Sequence, residues 1–236
     1  MTMSKNNETS GTVLVTGGAG FIGSALVRYL LTKTAVRVVN VDKMTYAASA
    51  RTLDALLQLR PHRHVRLDIC DQKAMANIIT ETKPDIVIHL AAESHVDRSI
   101  DGPAEFVHTN ILGTYTLLEV FTQYRRKRTE AGLKEPRFVN VSTDEVYGSL
   151  GSENQFSEDS AYSPNSPYAA TKAAADHLAR AWHTTYGLET LVTNASNNFG
   201  PYQFPEKLIP RTIIRALLGK PIEVYGDGTN VRDWIH

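Results

Sequence analysis

Apolar and polar positions along the chain fall into two alternating rhythms. Short runs rich in β-branched residues predict strands at Thr12 to Thr16, Val36 to Val41, Val65 to Leu67, Asp85 to Leu90, Phe138 to Ser142 and Thr190 to Thr193. Between them, apolar residues spaced three and four apart predict helices over Phe21 to Leu31, Asp71 to Thr82, Ala104 to Tyr124 and Tyr168 to Tyr186. Strands that are apolar almost throughout are covered on both faces, and the strand-helix alternation supplies the crossovers that parallel strands require. The fold class is therefore α/β, a doubly wound parallel sheet. From Phe199 the rhythm breaks into a Pro-rich stretch ending at Pro210, then a predicted helix over Arg211 to Leu218 and a short strand over Ile222 to Tyr225. The expected organisation is a disordered polar tail over 1–10, a sheet domain over 11–198 and the beginning of a smaller, incomplete lobe over 199–236.

Composition changes that picture only by exclusion. The chain has 236 residues, 42% of them apolar, with 25 Lys and Arg against 25 Asp and Glu, which is too apolar and too balanced for intrinsic disorder. Zero net charge offers no field to gather nucleic acid, and the one basic run, Arg125 to Arg128, is followed by Glu130 and Glu135 and reads as a solvated helix end. No stretch approaches the roughly 18 apolar residues of a membrane span, and Met1 to Ser10 lacks the apolar centre of a signal peptide. A single cysteine, Cys70, and no Cys/His cluster exclude a disulfide scaffold and a structural zinc site. A soluble cytoplasmic protein is expected, with no metal, nucleic-acid or membrane partner.

The chemistry starts at Gly17-Gly18-Ala19-Gly20-Phe21-Ile22-Gly23, between the first strand and the first helix. Glycines there let backbone N–H groups approach a pyrophosphate, with the positive end of the helix dipole behind them. Asp42 ends the second strand 19 residues past Gly23, near the spacing of a carboxylate that binds a ribose 2′-hydroxyl. A carboxylate there repels a 2′-phosphate, so NAD is the expected cofactor rather than NADP.

Tyr168 and Lys172 lie four apart at the start of a helix, after the start signals Ser166 and Pro167, and so share a face. A phenol, with an ordinary pKa of about 10, is a poor base at neutral pH unless a neighbouring ammonium favours the phenolate. Lys172 is expected to do this for Tyr168, making it a general base toward an alcohol losing hydride. Thr143-Asp144-Glu145 follows the fifth long strand at its C-terminal end, where open α/β sheets bind ligands. Adjacent carboxyl groups disfavour double ionisation, so one neutral acid beside one carboxylate is a natural state.

The glycine spacing and the Tyr-Lys pair resemble the extended short-chain dehydrogenase/reductase family, and Ser142-Thr143-Asp144-Glu145-Val146-Tyr147-Gly148 is similar to its nucleoside-diphosphate-glucose 4,6-dehydratases. Supporting segments run from Val41-Asp42-Lys43-Met44-Thr45-Tyr46-Ala47 to Arg232-Asp233-Trp234. The resemblance implies cofactor contacts from Gly17, Gly20, Phe21, Ile22, Gly23, Asp42, Lys43, Met44, Thr45, Asp68, Ile69, Leu90, Ala91, Ala92, Ser94, Thr109, Tyr168, Lys172 and Asn198. It implies substrate contacts from Ser94, Thr143, Asn197, Glu206, Lys207, Leu208, Glu223, Val224, Tyr225 and Arg232. It further implies that Tyr168 takes the C4 hydroxyl proton as NAD takes hydride, with Thr143 bonded at O4. Glu145 then takes the C5 proton, Asp144 protonates the departing C6 hydroxyl, the hydride returns to C6 and a proton returns to C5. A dTDP sugar is the first expectation and a UDP sugar the second. A homodimer through the two long helices is implied, with Phe106, Leu117, Leu118 and Phe121 available either to that interface or to the core. The alternatives are a 4-epimerase or decarboxylase on the same scaffold, against which Asp144 argues, and an idle NAD-binding module, against which Thr143, Asp144, Glu145, Tyr168 and Lys172 together argue.

Overall fold

The computed structural model describes residues 11–150, 155–224 and 226–236; the tail expected to be disordered lies outside the described residues. Six strands form one parallel sheet: β1 (Thr12–Thr16), β2 (Arg37–Asp42), β3 (Arg63–Arg66), β4 (Ile86–His89), β5 (Arg137–Thr143) and β6 (Glu189–Ala195), in the order β3-β2-β1-β4-β5-β6. The helices are α1 (Phe21–Lys33), α2 (Ala50–Leu57), α3 (Gln72–Thr82), α4 (Val96–Asp101), α5 (Pro103–Phe106), α6 (Gly113–Glu130), α7 (Pro167–Tyr186) and α8 (Leu208–Leu217). A two-stranded parallel pair, β7 (Asn197–Asn198) with β8 (Trp234–Ile235), ties the start of the C-terminal segment to its end.

Period-two alternation on β1 divides the core. Val13 and Val15 pack with Val27, Leu30 and Leu31 of α1 and Leu56 of α2. Leu14 faces the other way, into a larger cluster with Ile78 and Ile79 of α3, Leu117, Leu118 and Phe121 of α6, and Phe138 of β5. Each such aromatic or aliphatic side chain gains roughly 2–3 kcal/mol on leaving water. Phe106, Leu117, Leu118 and Phe121 are thus core residues, not dimer surface. The helix boundaries follow their local signals: Asp71 accepts from the Ala74 N–H at the start of α3, Ser166 accepts from the Ala169 N–H at the start of α7, and Gly187, at φ +68°, ends α7.

Two expectations fail. The helix predicted over Ala104 to Tyr124 is interrupted: between α5 and α6, Val107–Leu112 forms a π-helical turn. The wider turn brings Thr109 and Asn110 inside, and Asn110 is clamped to Glu93, accepting its N–H at 2.8 Å and donating to its carbonyl at 3.0 Å. The strand predicted over Ile222 to Tyr225 does not form over 222–224, which are exposed, because among the described residues no strand lies alongside to take their backbone groups; Tyr225 lies outside the described residues.

Candidate active site

The strand order reverses between β1 and β4, and open α/β sheets bind ligands in the crevice at such a point. Gly17, at φ +75°, leads out of β1, and a Cβ there would lie 2.6 Å from the Ala91 backbone nitrogen. A Cβ on Gly18 would strike the Asn40 side chain, and one on Gly23 the Gly17 carbonyl. Asn40 is fully buried under this loop and neither of its amide atoms has a partner among the described residues. A cradle that admits only glycine, with a helix N-terminus and a buried amide beneath it, fits the pyrophosphate of a dinucleotide.

Asp42 has a structural task that its spacing did not reveal. Its Oδ2 accepts the Ala19 N–H of the glycine loop at 2.9 Å and its Oδ1 the N–H of Met44 at 2.8 Å, with Met44 in the left-handed region at φ +60°. Each oxygen keeps a lone pair for a ribose hydroxyl. Lys43 lies 3.6 Å from Asp68 and donates to Thr109 Oγ1 at 3.3 Å. Burial alone would raise the Asp68 carboxyl, but the Cys70 N–H and Lys43 outweigh it and hold the group below its ordinary value. Leu90, Ala91 and Ala92 line the β4 end half-buried, as Phe21 and Thr45 do beside the loop, while Ile22 is exposed. The Ile69 side chain is not free to meet a cofactor: it is 3% exposed, inside the core. Gly20 caps α1 without a side chain.

The acids stand where β5 ends. Thr143 Oγ1 accepts the Glu145 N–H and donates to Asp144 Oδ1, both at 3.3 Å, as the chain turns into the short 3-10 segment Asp144–Tyr147. The Thr143 hydroxyl opposes the rise of the Tyr168 phenol. Burial raises both acids, and Asp144 raises Glu145 further, while Lys207 and Arg232 pull Glu145 back. The expectation for Tyr168 needs correction. Lys172, 4% exposed, donates its Nζ to the Val141 carbonyl at 2.8 Å, and the Tyr168 phenol is held above its ordinary value of 10.0, first by burial and then by the charge of Glu145.

On the substrate side, Lys207 donates to the Ser94 carbonyl at 2.9 Å, and burial pushes its ammonium down against the opposing pull of Glu206 and Glu145. Glu206 accepts from Tyr46 at 3.3 Å and from Arg98 at 3.5 Å, and lies 3.6 Å from His95. Arg232 is exposed, with its charge reaching both Asp144 and Glu145. Asn197 and Asn198 are half-buried in β7, and Asn198 donates to the Ser196 carbonyl. Leu208 opens α8 exposed; Glu223 pairs back with Arg211 and with Arg215 of α8, and Val224 is exposed.

A family model for GDP-mannose 4,6-dehydratase matches residues 14–236. The chain belongs to the GDP-mannose 4,6-dehydratase family. A relative named dTDP-glucose 4,6-dehydratase, from Haemophilus influenzae, is 54% identical over 224 residues, covering 94% of this chain and 66% of its own length. Among solved structures, dTDP-glucose 4,6-dehydratase of Streptomyces venezuelae, with NAD bound, is 46% identical, covers 95% of this chain and 68% of its own, and superposes with a TM-score of 0.86. The enzyme of that name from Bacillus anthracis, in complex with NAD, is 41% identical, with 96% and 68% covered and a TM-score of 0.85. The chain spans 64% and 66% of the length of the first two curated relatives it matches.

This member of the GDP-mannose 4,6-dehydratase family holds site residues that sequence reasoning missed. Asn110 fixes the Glu93 backbone and donates to Thr171 Oγ1 at 2.9 Å, beside Lys172 in α7. A helix predicted as uninterrupted gave no sign that Asn110 would point inward. Tyr46 lies under the Arg98 guanidinium at 3.8 Å, joining the cofactor loop to α4 and Glu206. Asp176, four residues past Lys172, carried a signal in its spacing: Tyr168, Lys172 and Asp176 occupy one stripe of α7.

Proposed function

We propose that the chain is the cofactor-binding and catalytic part of an NAD-dependent nucleotide-sugar 4,6-dehydratase, a hydro-lyase that converts dTDP-glucose to dTDP-4-keto-6-deoxyglucose. The observation that carries this reading is the placement of two acids, both held toward their protonated forms, on the turn that follows Thr143 and within electrostatic reach of Tyr168. An epimerase has no elimination to catalyse and no use for such a pair. The C5 hydrogen of glucose is not acidic until C4 is a ketone, so oxidation must come first. NAD, held by Gly17 to Gly23 and Asp42, would accept hydride from C4 and return it to C6.

The rest falls to the chain's own side chains. Tyr168 takes the C4 hydroxyl proton, with Thr143 oriented toward the same oxygen. The charges of Glu145 and Asp144 each raise the phenol, so a protonated Asp144 eases its ionisation while Glu145 stays a carboxylate, able to act as a base. The Glu145 carboxylate, the more perturbed by its neighbour, then accepts the C5 proton, Asp144 gives its proton to the C6 hydroxyl, which leaves as water, and a proton returns to C5 as hydride reaches C6. Lys207 and Arg232 place positive charge where a diphosphate would lie, and Ser94 borders the same space.

The sheet domain over 11–198 thus supplies cofactor and chemistry, and 199–236 begins the substrate lobe. Among the described residues no helix is long and apolar enough to cross a membrane. A homodimer through α6 and α7 is supported by apolar side chains left exposed beside and on those helices, Val107, Leu112, Tyr115 and Tyr186, in place of the core residues first considered. Incubation of the full-length protein with NAD and dTDP-glucose tests the reading. A 4-keto-6-deoxy product without accumulated reduced cofactor is expected; a C4 epimer, or no turnover with dTDP- or UDP-glucose, would overturn it.

A further inference from the structure

Asp176 is 3% exposed, yet three donors converge on its carboxylate. Asn140 Nδ2 donates to Oδ1 at 2.7 Å, while Ser142 Oγ and the Tyr162 hydroxyl donate to Oδ2 at 2.6 and 3.1 Å. Asn140 and Ser142 are alternate residues of β5, and the carbonyl between them, that of Val141, accepts from Lys172 Nζ. The acid and the ammonium, one helical turn apart on α7, therefore grip three successive residues of the strand that ends in Thr143.

We propose that Asp176 is a positioning residue for the Tyr-Lys pair: its anchored carboxylate is the fixed counter-charge that keeps Lys172 an ammonium at the Val141 carbonyl, below Tyr168. This rests on the dehydratase reading only for its catalytic consequence. If α7 needed no more than a polar stitch to β5, a neutral amide would provide it without the cost of a buried charge. Three donors and no acceptor are the surroundings of an ionised acid.

The other ionisable groups around the pair do not replace it. His89 on β4 is bonded on both ring nitrogens to Thr16 and Thr114, and burial, then the charge of Lys172, pushes its pKa down to about 3, so it stays neutral. Tyr162, on the segment before α7, is pushed up to about 12 by burial and by Asp176 and stays a neutral donor. Tyr168 is likewise raised, and Asp144 and Glu145 act on it from the turn after β5. Burial pulls Lys172 down and the charge of Asp176 pulls it back. Burial also raises Asp176 itself, and the Ser142 donor and Lys172 oppose that rise.

The test reads Lys172 directly. In the full-length protein labelled with 13Cε-lysine, the Lys172 resonance, assigned by its loss in Lys172→Arg, is titrated in the wild type, Asp176→Asn and Asp176→Glu. Asp176→Asn should lower the Lys172 midpoint by about one pH unit or more, and the alkaline limb of kcat should move down with it, leaving KM for the nucleotide sugar within about twofold. Asp176→Glu, which restores the charge, should return most of both shifts. An unchanged Lys172 midpoint in Asp176→Asn, or a kcat reduced by the same factor at every pH, would overturn the proposal. Should Asp176→Asn not fold, Ser142→Ala and Tyr162→Phe each remove one donor and should shift the midpoint the same way by less; no shift in either counts against it equally. Because the titration needs no turnover, a shifted midpoint in a protein without dehydratase activity would remove the reaction and leave the role of Asp176 standing.

Discussion

The two helices that carry site residues, α7 and α8, are held in opposite ways. α7 buries seven residues against β5 and its neighbours, Lys172 and Asp176 among them, and begins with Ser166 as cap and Pro167 after it. α8 buries none and has no side-chain cap; Lys207 at its start is fixed by a hydrogen bond to Ser94 and Glu206 by contacts with Tyr46 and Arg98. Side chains on α7 and the β5 turn have positions set by packing and shifted ionisation set by burial. Those around α8 have positions set by a few polar contacts between distant segments. The proposed chemistry resides in the first region and sugar recognition in the second, so changes in the first should act on the reaction steps and changes in the second on binding.

The largest effect should come from the acids at the packed end. Asp144→Asn combined with Glu145→Gln should slow elimination roughly 100- to 10,000-fold, the usual cost of a lost positioned acid or base, while C4 oxidation continues. A near-ultraviolet absorbance of reduced cofactor, absent from the wild type, should then build up after substrate is added. Product formed at close to the wild-type rate would break the division of roles.

Stability should divide the same way. Phe121→Ala, at a fully buried position, should cost about 3–5 kcal/mol in denaturant unfolding, whereas Leu217→Ser, at a side chain 82% exposed on α8, should stay within about 0.5 kcal/mol. A large cost at Leu217 would show that α8 is packed in solution and erase the contrast.

A pH-dependent effect belongs to the packed region around β4. The folded pKa of His89 is depressed from 6.5 to about 3, so the stability it contributes is complete above 6.5 and is lost as pH falls from there toward 3. The loss should approach about 1.4 kcal/mol per pH unit in that window, and His89→Gln, which cannot charge, should flatten it. Thermal unfolding of both proteins from pH 7 to pH 4 measures the difference; parallel curves would show that His89 stays accessible to protons when folded.

The same division explains what could be read from sequence. The β1-Gly-α1 turn, Asp42 and the β5 turn were legible because local rules govern them: strand runs, glycine where only glycine fits, caps at helix starts. The ionisation of Tyr168 was not, because it depends on burial and on Glu145, 23 residues away along the chain. Nor was Asn110, whose inward position depends on one wide turn within a helical rhythm, nor the Tyr46-Arg98-Glu206 contact, which joins three separate segments. The irregular stretch at 222–224 shows the limit of propensity: β-branched residues make a strand only where a neighbour can take their hydrogen bonds.

The wide turn at Val107–Leu112 also acts as a phase adjuster. One residue added to a helix advances the azimuth of all that follows by about 100°. The stretch ahead of the turn can therefore aim Phe106 at the Tyr168 ring, while the stretch behind it aims Leu117, Leu118 and Phe121 into the core. A uniform helix would have to satisfy both azimuths with one register. Here, insertions and deletions near residue 110 should be read as rotations rather than changes of length: losing one residue would turn a whole face of α6 away from the sheet while shortening the chain by only about 1.5 Å.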